Sequence, residues 1–369
     1  MDFFATAAKG TEGALRDELR ELRFRGVRAD RGGVHFTGSL EEGYRACLEL
    51  RTAVRVLMLL SEFDAEDGEA LYEGVRAIPW SPYLSPKHTL AVRTACRSSR
   101  LTHSQFIAQK TKDAVVDQLR DKVGARPSVD LDDPDVMLFV HLVRDRASVY
   151  LDLAGEPLHR RGYRTHIGEA PLKETLAAAI LRLGGWDRET PLIDPMCGSG
   201  TFPIEATMWA RRIAPGLARD RFGFERWASH GEAEARKAAD LRAEARGRIL
   251  RDGPRVAGFD IDPQAIETAR GNARRAALSI RFDRRGIYDL NPEGPAGMIV
   301  TNPPYGERLE GSRELFDELG DAIRRMYGHT AAILAGAPAI PQAIPLRPEK
   351  VLNVWNGAIE CRLLRYSIP

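Results

Sequence analysis

Long apolar runs are missing from this sequence. None approaches the ~20 residues that cross a bilayer, which argues against a helical membrane span. Cysteine is scarce. Cys47, Cys96, Cys197 and Cys361 stand far apart, without metal or disulfide spacing. That pattern points to a reducing, cytoplasmic setting and to no metal site. The first residues lack the basic-then-apolar order of a signal peptide, in keeping with the same setting. An excess of one charge is missing too, since the net charge is only +2. Such a balance neither proves nor excludes a nucleic-acid partner, because a local basic face is enough. Low-complexity tracts and short repeats are absent. What remains is the composition of a soluble globular protein, and 369 residues predict two or three domains at roughly 150 residues each.

What is present is organised around DPMCGSGTFPIEA, residues 194–206. An apolar segment precedes it and a helical pattern follows. Strand, glycine turn and helix open a nucleotide-binding α/β unit. Gly198 and Gly200 can take positive φ and let the backbone approach a ligand, and the following helix aims free N–H groups at that ligand. A second stretch, TNPPYGERL (301–309), also follows an apolar run. The pair is far more specific than either part.

Hydrophobic periodicity orders the chain. Residues 2–9 predict a strand, 11–24 a helix capped by Thr11, 34–36 a strand, 39–50 a helix capped by Ser39, and 54–63 a strand. This βαβαβ order suggests a small α+β domain. Next come a helix over 68–78, a strand over 89–96, a long helix over 102–123 and a hairpin over 136–143 and 147–153. The long helix carries Gln105, Gln109, Lys110 and Lys112, either as a solvated face or as an RNA-contacting one. Residues 154–170 are a linker containing HRRGYR (159–164). Three arginines around a tyrosine suit phosphate contact with base stacking, or a solvated connector. A helix over 170–183 then leads into strands 191–194, 256–259, 280–282, 298–300 and 330–334. A closing pair, 351–354 and 359–366, surrounds Asn356-Gly357. Parallel strands with crossover helices, closed by an antiparallel hairpin, make a doubly wound sheet.

Ligands in such sheets sit at the C-terminal ends of strands, where Asp194, Asp260, Asp262 and Asn302 fall. Asp260 is placed to bond ribose hydroxyls, whereas Asp262, just before a proline, suits an N-cap. The order G-x-G-x-x-G is absent and the acid lies too far from the glycines, which argues against a nicotinamide site. Two prolines after Asn302 stiffen the loop and remove two N–H donors. The Asn302 oxygen and the Pro303 carbonyl can then both accept from one exocyclic NH₂ group, while Tyr305 offers a ring for a planar base. Cys197 is a small packing residue, since nothing nearby marks it as a thiolate.

These motifs resemble the class I S-adenosylmethionine-dependent methyltransferases that act on nucleobase amino groups. The wider chain is similar to the THUMP-domain RNA guanine-N2 methyltransferases of the RlmL ribosomal RNA type. The matching pieces are RRGYR (160–164), APLKETLAAAIL (170–181), APGLARDRFGFERW (214–227), GFDIDPQAIETARGNARRA (258–276) and NGAIECRLLRY (356–366). The resemblance implies a ferredoxin-like α+β domain (1–54), an RNA-binding THUMP domain (55–155), a linker (156–169) and a Rossmann-like methyltransferase domain (170–369) with an antiparallel last strand. It implies S-adenosylmethionine as cofactor, with Asp194, Cys197, Gly198, Gly200 and Thr201 at its methionine end and Asp260, with Asp262 beside it, at the ribose. Asn302 and Pro303 would hold the target amine and Tyr305 the base; Arg160, Arg161, Tyr163, Arg164, Lys110 and Lys112 would meet RNA. The family usually has an acid after the third strand, facing adenine. Here Gly286 takes that place, with Asp289 as the substitute. The implied product is N2-methylguanosine in 23S ribosomal RNA or a pre-ribosomal particle, made by a cytoplasmic monomer. Transfer RNA is the alternative substrate. DNA amino-methylation and a non-catalytic RNA-binding or assembly role with a vestigial fold are the rivals from other classes.

Overall fold

A computed structural model describes residues 1–164, 172–304 and 312–369. The first part of the chain runs β1 (Asp2–Thr6), α1 (Glu12–Glu21), β2 (Arg25–Asp30), β3 (Gly33–Thr37), α2 (Leu40–Glu49), β4 (Arg55–Asp64), α3 (Gly68–Arg76), β5 (Thr89–Arg97), α4 (Ser104–Val123), β6 (Ser128–Val129), β7 (Val136–Val143) and β8 (Arg146–Asp152). Helix α1 buries Ala14, Leu15 and Leu19 on one stripe, the spacing of an amphipathic helix. Thr11 does not cap it; its hydroxyl donates to the Ala8 carbonyl at 2.7 Å instead. Ser39 caps α2 through a reciprocal box. Its Oγ accepts from the Glu42 N–H at 3.2 Å, and the Glu42 carboxylate accepts from the Ser39 N–H at 2.8 Å. Strand β2 is an addition to the predicted order. Most of it is exposed, so it carries no apolar alternation.

These strands form one eight-stranded sheet, in the order β2-β3-β1-β4-β8-β7-β5-β6. Strand β4 pairs antiparallel with both β1 and β8, so the two units expected from the sequence share a continuous ladder. Phe3, Leu15, Leu19 and Phe36 belong to a core that continues through Val140, Leu142 and Val149. Helix α4 turns Ile107, Thr111, Ala114, Val115 and Leu119 inward.

The second part runs α5 (Glu174–Gly184), β9 (Leu192–Asp194), α6 (Thr201–Ala210), α7 (Glu232–Gly247), β10 (Val256–Asp260), α8 (Pro263–Arg275), β11 (Arg281–Arg284), β12 (Met298–Thr301), α9 (Ser312–Arg325), β13 (Thr330–Ala335), β14 (Lys350–Asn356) and β15 (Ile359–Ser367). The start of the helix expected from residue 170 lies partly outside the described residues. The sheet order is β11-β10-β9-β12-β13-β15-β14. Strands β9 to β13 pair in parallel, and β15 runs antiparallel to both β13 and β14. The chain steps outward from β9 in both directions, so the switch point of the sheet lies at Asp194.

Two of the contacts that join the halves stand out. The segment between α6 and β10 sends Phe222, Phe224, Trp227, Ala238 and Leu241 into the core of the first sheet, where the Phe224 ring stacks on Tyr44 at 3.7 Å. The β1–α1 turn covers the edge strand β14: the Trp355 N–H donates to the Lys9 carbonyl at 3.0 Å, and the Lys9 ammonium lies 3.6 Å from the Trp355 ring centre. Covering an edge in this way blocks further strand pairing. Among the described residues no helix is long and apolar enough to cross a membrane.

Candidate active site

The glycine loop is pinned to the neighbouring strand. The Cys197 N–H donates to the Phe259 carbonyl at 2.8 Å, and the Gly198 N–H donates to Oδ2 of Asp260 at 2.9 Å. Both glycines have positive φ, +49° at Gly198 and +81° at Gly200, but their surroundings differ. A Cβ on Gly198 would meet nothing within 4 Å, so this residue faces the open crevice. A Cβ on Gly200 would lie 3.0 Å from both Ala269 and Phe282, so this residue lets α8 and β11 close in.

Asp194 ends β9 and is 2% exposed. Its carboxylate accepts from the Met196 N–H at 3.2 Å. Burial, with Asp260 nearby, pushes its carboxyl well above the usual range. A carboxyl in this state keeps its proton unless a cation comes to lie beside it. Burial and the same two carboxylates push the Cys197 thiol up as well, which keeps it protonated and inert. Asp260 ends β10 and is half-buried; its Oδ1 accepts from the Asp262 N–H at 3.0 Å. Asp262 is exposed and caps α8, accepting from the Gln264 N–H at 2.9 Å, as its place before Pro263 suggested. Asp289 is exposed, at the end of a one-turn 3₁₀ helix (Ile287–Asp289).

Strand β12 lies against β9 and delivers Asn302 to the same end of the sheet. The Asn302 Oδ1 atom is shielded from solvent and has no hydrogen-bond partner among the described residues. Pro303 beside it is buried. Tyr305 lies outside the described residues.

The HRRGYR segment requires a correction. Arg161 and Tyr163 were candidates for phosphate contact and stacking, yet they are 2% and 1% exposed. The Arg161 guanidinium donates to the Leu158 carbonyl at 2.7 Å, the Arg51 carbonyl at 2.6 Å and both Glu205 oxygens at 3.3 Å. The Tyr163 hydroxyl donates to Glu205 at 3.2 Å. Arg164 donates to Oγ1 of Thr201 at 2.6 Å and pairs with Glu174 at 3.3 Å. Buried carboxylates on α6 and α5 have recruited these cations, Glu205 taking Arg161 and Glu174 taking Arg164, and composition alone could not show it. Thr201 is therefore engaged by the linker at the start of α6. Of the segment's three arginines only Arg160 is exposed, paired with Glu156 at 2.7 Å. On α4, Lys112 pairs with Asp113 at 2.6 Å, and the Lys110 ammonium lies 5.5 Å from the Tyr72 ring centre.

Three residues that sequence reasoning missed complete this brace. Glu205 is the one charge in the apolar run of α6, which was its visible signal. The Asn272 amide donates to the Ser199 carbonyl at 2.9 Å. Arg275 joins that amide to the linker, donating to Oδ1 of Asn272 at 2.6 Å and to the Tyr163 carbonyl at 2.7 Å. The glycine loop is thus held from β10, from α8 and from the linker.

The sheet order, the antiparallel strand inserted before the edge, and the glycine loop at the switch point define a Rossmann-like fold of the class I methyltransferase type. Residues 161–365 match the family described as RMKL-like, methyltransferase domain; residues 65–152 match the THUMP domain and residues 2–57 the RlmL ferredoxin-like domain. The chain belongs to this RMKL-like methyltransferase family. It is 46% identical over 385 residues to the Ribosomal RNA large subunit methyltransferase K/L of Syntrophotalea carbinolica, covering 100% of the chain and 54% of that protein. It is 45% identical over 380 residues to the protein of the same name in Methylococcus capsulatus, covering 100% and 51%. The chain thus spans about half the length of the curated relatives it matches. Among solved structures, SMU.472 complexed with SAH superposes with a TM-score of 0.89 at 33% identity, covering 100% of this chain and 98% of that one. A Listeria monocytogenes chain described as "a predicted N6-adenine-specific DNA methylase" superposes with a TM-score of 0.90 at 33% identity, covering 100% and 96%.

Proposed function

We propose that this chain methylates the exocyclic amino group of a guanine in RNA, giving N2-methylguanosine in 23S ribosomal RNA, and that it does so as a cytoplasmic monomer. The observation that carries this is the Asn302 oxygen at the strand end, shielded from solvent and without a partner among the described residues. The ribosomal RNA names of the curated relatives and the THUMP match support the substrate. The domains follow at 1–54, 55–155, 156–169 and 170–369.

The residues present fit S-adenosylmethionine. Among the described residues no cation pairs with the buried Asp194 carboxyl, and the methionine ammonium would supply one. The open side of Gly198 leaves room for the methionine chain beside Cys197, Gly200 and Thr201. Asp260, half-buried beside it, would take the ribose hydroxyls, with the Asp262 N–H holding its loop. When bound, the cofactor supplies an electrophilic methyl group. The chain's own residues do the rest. A guanine amino nitrogen is a poor nucleophile because its lone pair is delocalised into the ring. Its two N–H groups would donate to the Asn302 oxygen and the Pro303 carbonyl, which lets the nitrogen pyramidalise and fixes its line of attack. Positioning of this kind supplies up to ~7–11 kcal/mol of a barrier. Tyr305 would stack on the base, and Arg160, Lys110 and Lys112 would meet phosphates.

Tritiated methyl transfer to separate pools of transfer RNA and large-subunit ribosomal RNA, with nucleoside analysis, tests this. N2-methylguanosine in the ribosomal pool is the expected result, and Asn302→Ala should abolish it while S-adenosylhomocysteine still binds. The same nucleoside in transfer RNA alone would replace the substrate. Methyladenine in DNA, the activity named for the Listeria chain, would overturn the base and the polymer. Full turnover by Asn302→Ala would remove that residue from the mechanism.

A further inference from the structure

The crevice lies at the C-terminal ends of the strands of the second sheet. A separate cavity of about 240 Å³ lies at the opposite end, where Pro254 and Val256 lead into β10. Strand β10 has 5 residues, so this foot is ~13 Å from Asp260 at the far end of the strand at about 3.3 Å per residue.

The cavity forms where the loop after α7 is clipped onto the end of α6. The Leu250 N–H donates to the Arg211 carbonyl at 2.9 Å, and Arg211 Nε donates back to the Leu250 carbonyl at 3.0 Å. A Cβ on Gly253 would lie 3.2 Å from Cγ of Arg211, so the loop closes directly on the arginine stem. The clip spends one guanidinium N–H of Arg211. Its two Nη groups have no partner among the described residues and keep the flat fork that suits a phosphate. Arg251 lines the same cavity and makes no hydrogen bond or ion pair among the described residues.

The helix end does not need these cations. The carbonyls of Thr207, Met208 and Trp209 already accept from the N–H groups of Arg211, Ile213 and Arg212. The surrounding field has one sign. Residues 246–255 hold Arg246, Arg248, Arg251 and Arg255 against Asp252 alone, and only Arg248 of these is paired among the described residues, with Glu49.

The rest of the lining narrows the ligand. Asp252 lines the cavity, exposed and unpaired among the described residues, and asks for a donor. Ala210, Pro254 and Val256 give it an apolar wall, and no aromatic ring among the described residues lines it to stack a base. Its volume is below the ~300 Å³ at which pockets for drug-sized ligands begin. An anion with a hydroxyl on a small carbon frame meets these demands together. The RNA backbone offers that pair at every nucleotide, and DNA lacks the hydroxyl.

We propose that this cavity seats one ribose-phosphate unit of the RNA backbone, with Arg211 and Arg251 on the phosphate and Asp252 accepting from the 2′-hydroxyl. The inference rests on the RNA reading above. It adds a grip outside the crevice and the first sheet, and a means of rejecting DNA.

Equilibrium binding of a short, mixed-sequence single-stranded RNA and of its DNA counterpart to the full chain, over a range of salt, tests this. Arg251→Ala should weaken both polymers about three- to tenfold and lower the salt slope by about 0.7, the single-strand value for one phosphate. Arg251→Glu should weaken them further. Asp252→Ala should separate the two: RNA about fivefold weaker, as for a hydrogen bond to a charged group, and DNA unchanged or tighter because an acid is gone. S-adenosylhomocysteine should bind all the variants equally in calorimetry. RNA binding that is unchanged or tighter in Asp252→Ala would overturn the ribose contact. Full affinity and an unchanged salt slope in both Arg251 variants would overturn the cavity as an RNA site and leave the RNA reading intact. An unmodified protein that binds no RNA would refute both.

Discussion

Replacing Glu205 by leucine isolates what the linker brace contributes. Arg161 is 2% exposed and Glu205 is fully buried, so the substitution strands a guanidinium in the interior with only the Leu158 and Arg51 carbonyls as acceptors. Burial alone pushes the Arg161 guanidinium down, and Glu205, with Glu174 and Tyr163, more than reverses that. Removing one partner of such a pair costs about 3–5 kcal/mol. The Tyr163 hydroxyl loses its acceptor in the same stroke. Unfolding entropy of ~2.1 cal/mol/K per residue over 369 residues turns that cost into a fall in Tm of roughly 4–6 °C. The double variant Arg161→Met with Glu205→Leu should recover most of the loss, because matched apolar groups replace a buried pair at little cost. Thermal melting of the three proteins under one buffer is the assay. A Glu205→Leu protein melting within 1 °C of the parent, or a double variant melting below the single one, would refute the argument that this cluster is an interior ion pair.

Asp260→Ala should weaken S-adenosylhomocysteine binding by about 10- to 100-fold, the range for hydrogen bonds to a charged group; calorimetry showing no change would end its ribose role. The two loop glycines should separate. Gly198→Ala carries only the ~1 kcal/mol strain of its positive φ but fills the crevice, so binding should fall with Tm nearly kept. Gly200→Ala adds a clash with Ala269 and Phe282 at 3.0 Å and should show mainly in a lowered Tm. His159 sets an acid limit. Burial, then Lys173 and the linker arginines, push its imidazole down to about 4. The unfolded chain takes up that proton below about 6.5, so the contribution is intact above 6.5 and is lost as pH falls toward 4. His159→Asn should remove about 1–2 kcal/mol of this acid sensitivity, a figure discounted for partial exposure. Parallel Tm–pH curves for the two proteins would contradict it.

Much of the fold was legible because burial leaves a period in the sequence. The stripe of α1, the capping box of α2 and the apolar runs of β9, β12 and β13 all announce themselves. Strand β2 did not, because an almost fully exposed strand has no apolar face to reveal. The joining of two expected units into one sheet is a fact of strand pairing, which no local pattern encodes. The glycine loop and the aspartate and asparagine strand ends were readable as a site since each occupies a fixed place after a strand. Arg161 and Tyr163 were misread for a physical reason. A cation cluster looks the same in sequence whether it faces water or a buried carboxylate, and Glu205 lies 44 residues from Arg161. Only the interruption of an apolar helix by one acid hinted at the partner.

The aromatic segment between α6 and β10, anchored in the opposite core, makes the two halves of this molecule a caliper with fixed jaws. A polymer gripped by the first sheet, as proposed above, would meet the crevice at one set distance, and the shared β4 would keep the gripping surface itself in one piece. On the proposed RNA substrate, a fold of this kind would select its target by measured span, leaving the letters around the target base free to vary as long as the shape between grip and crevice is kept.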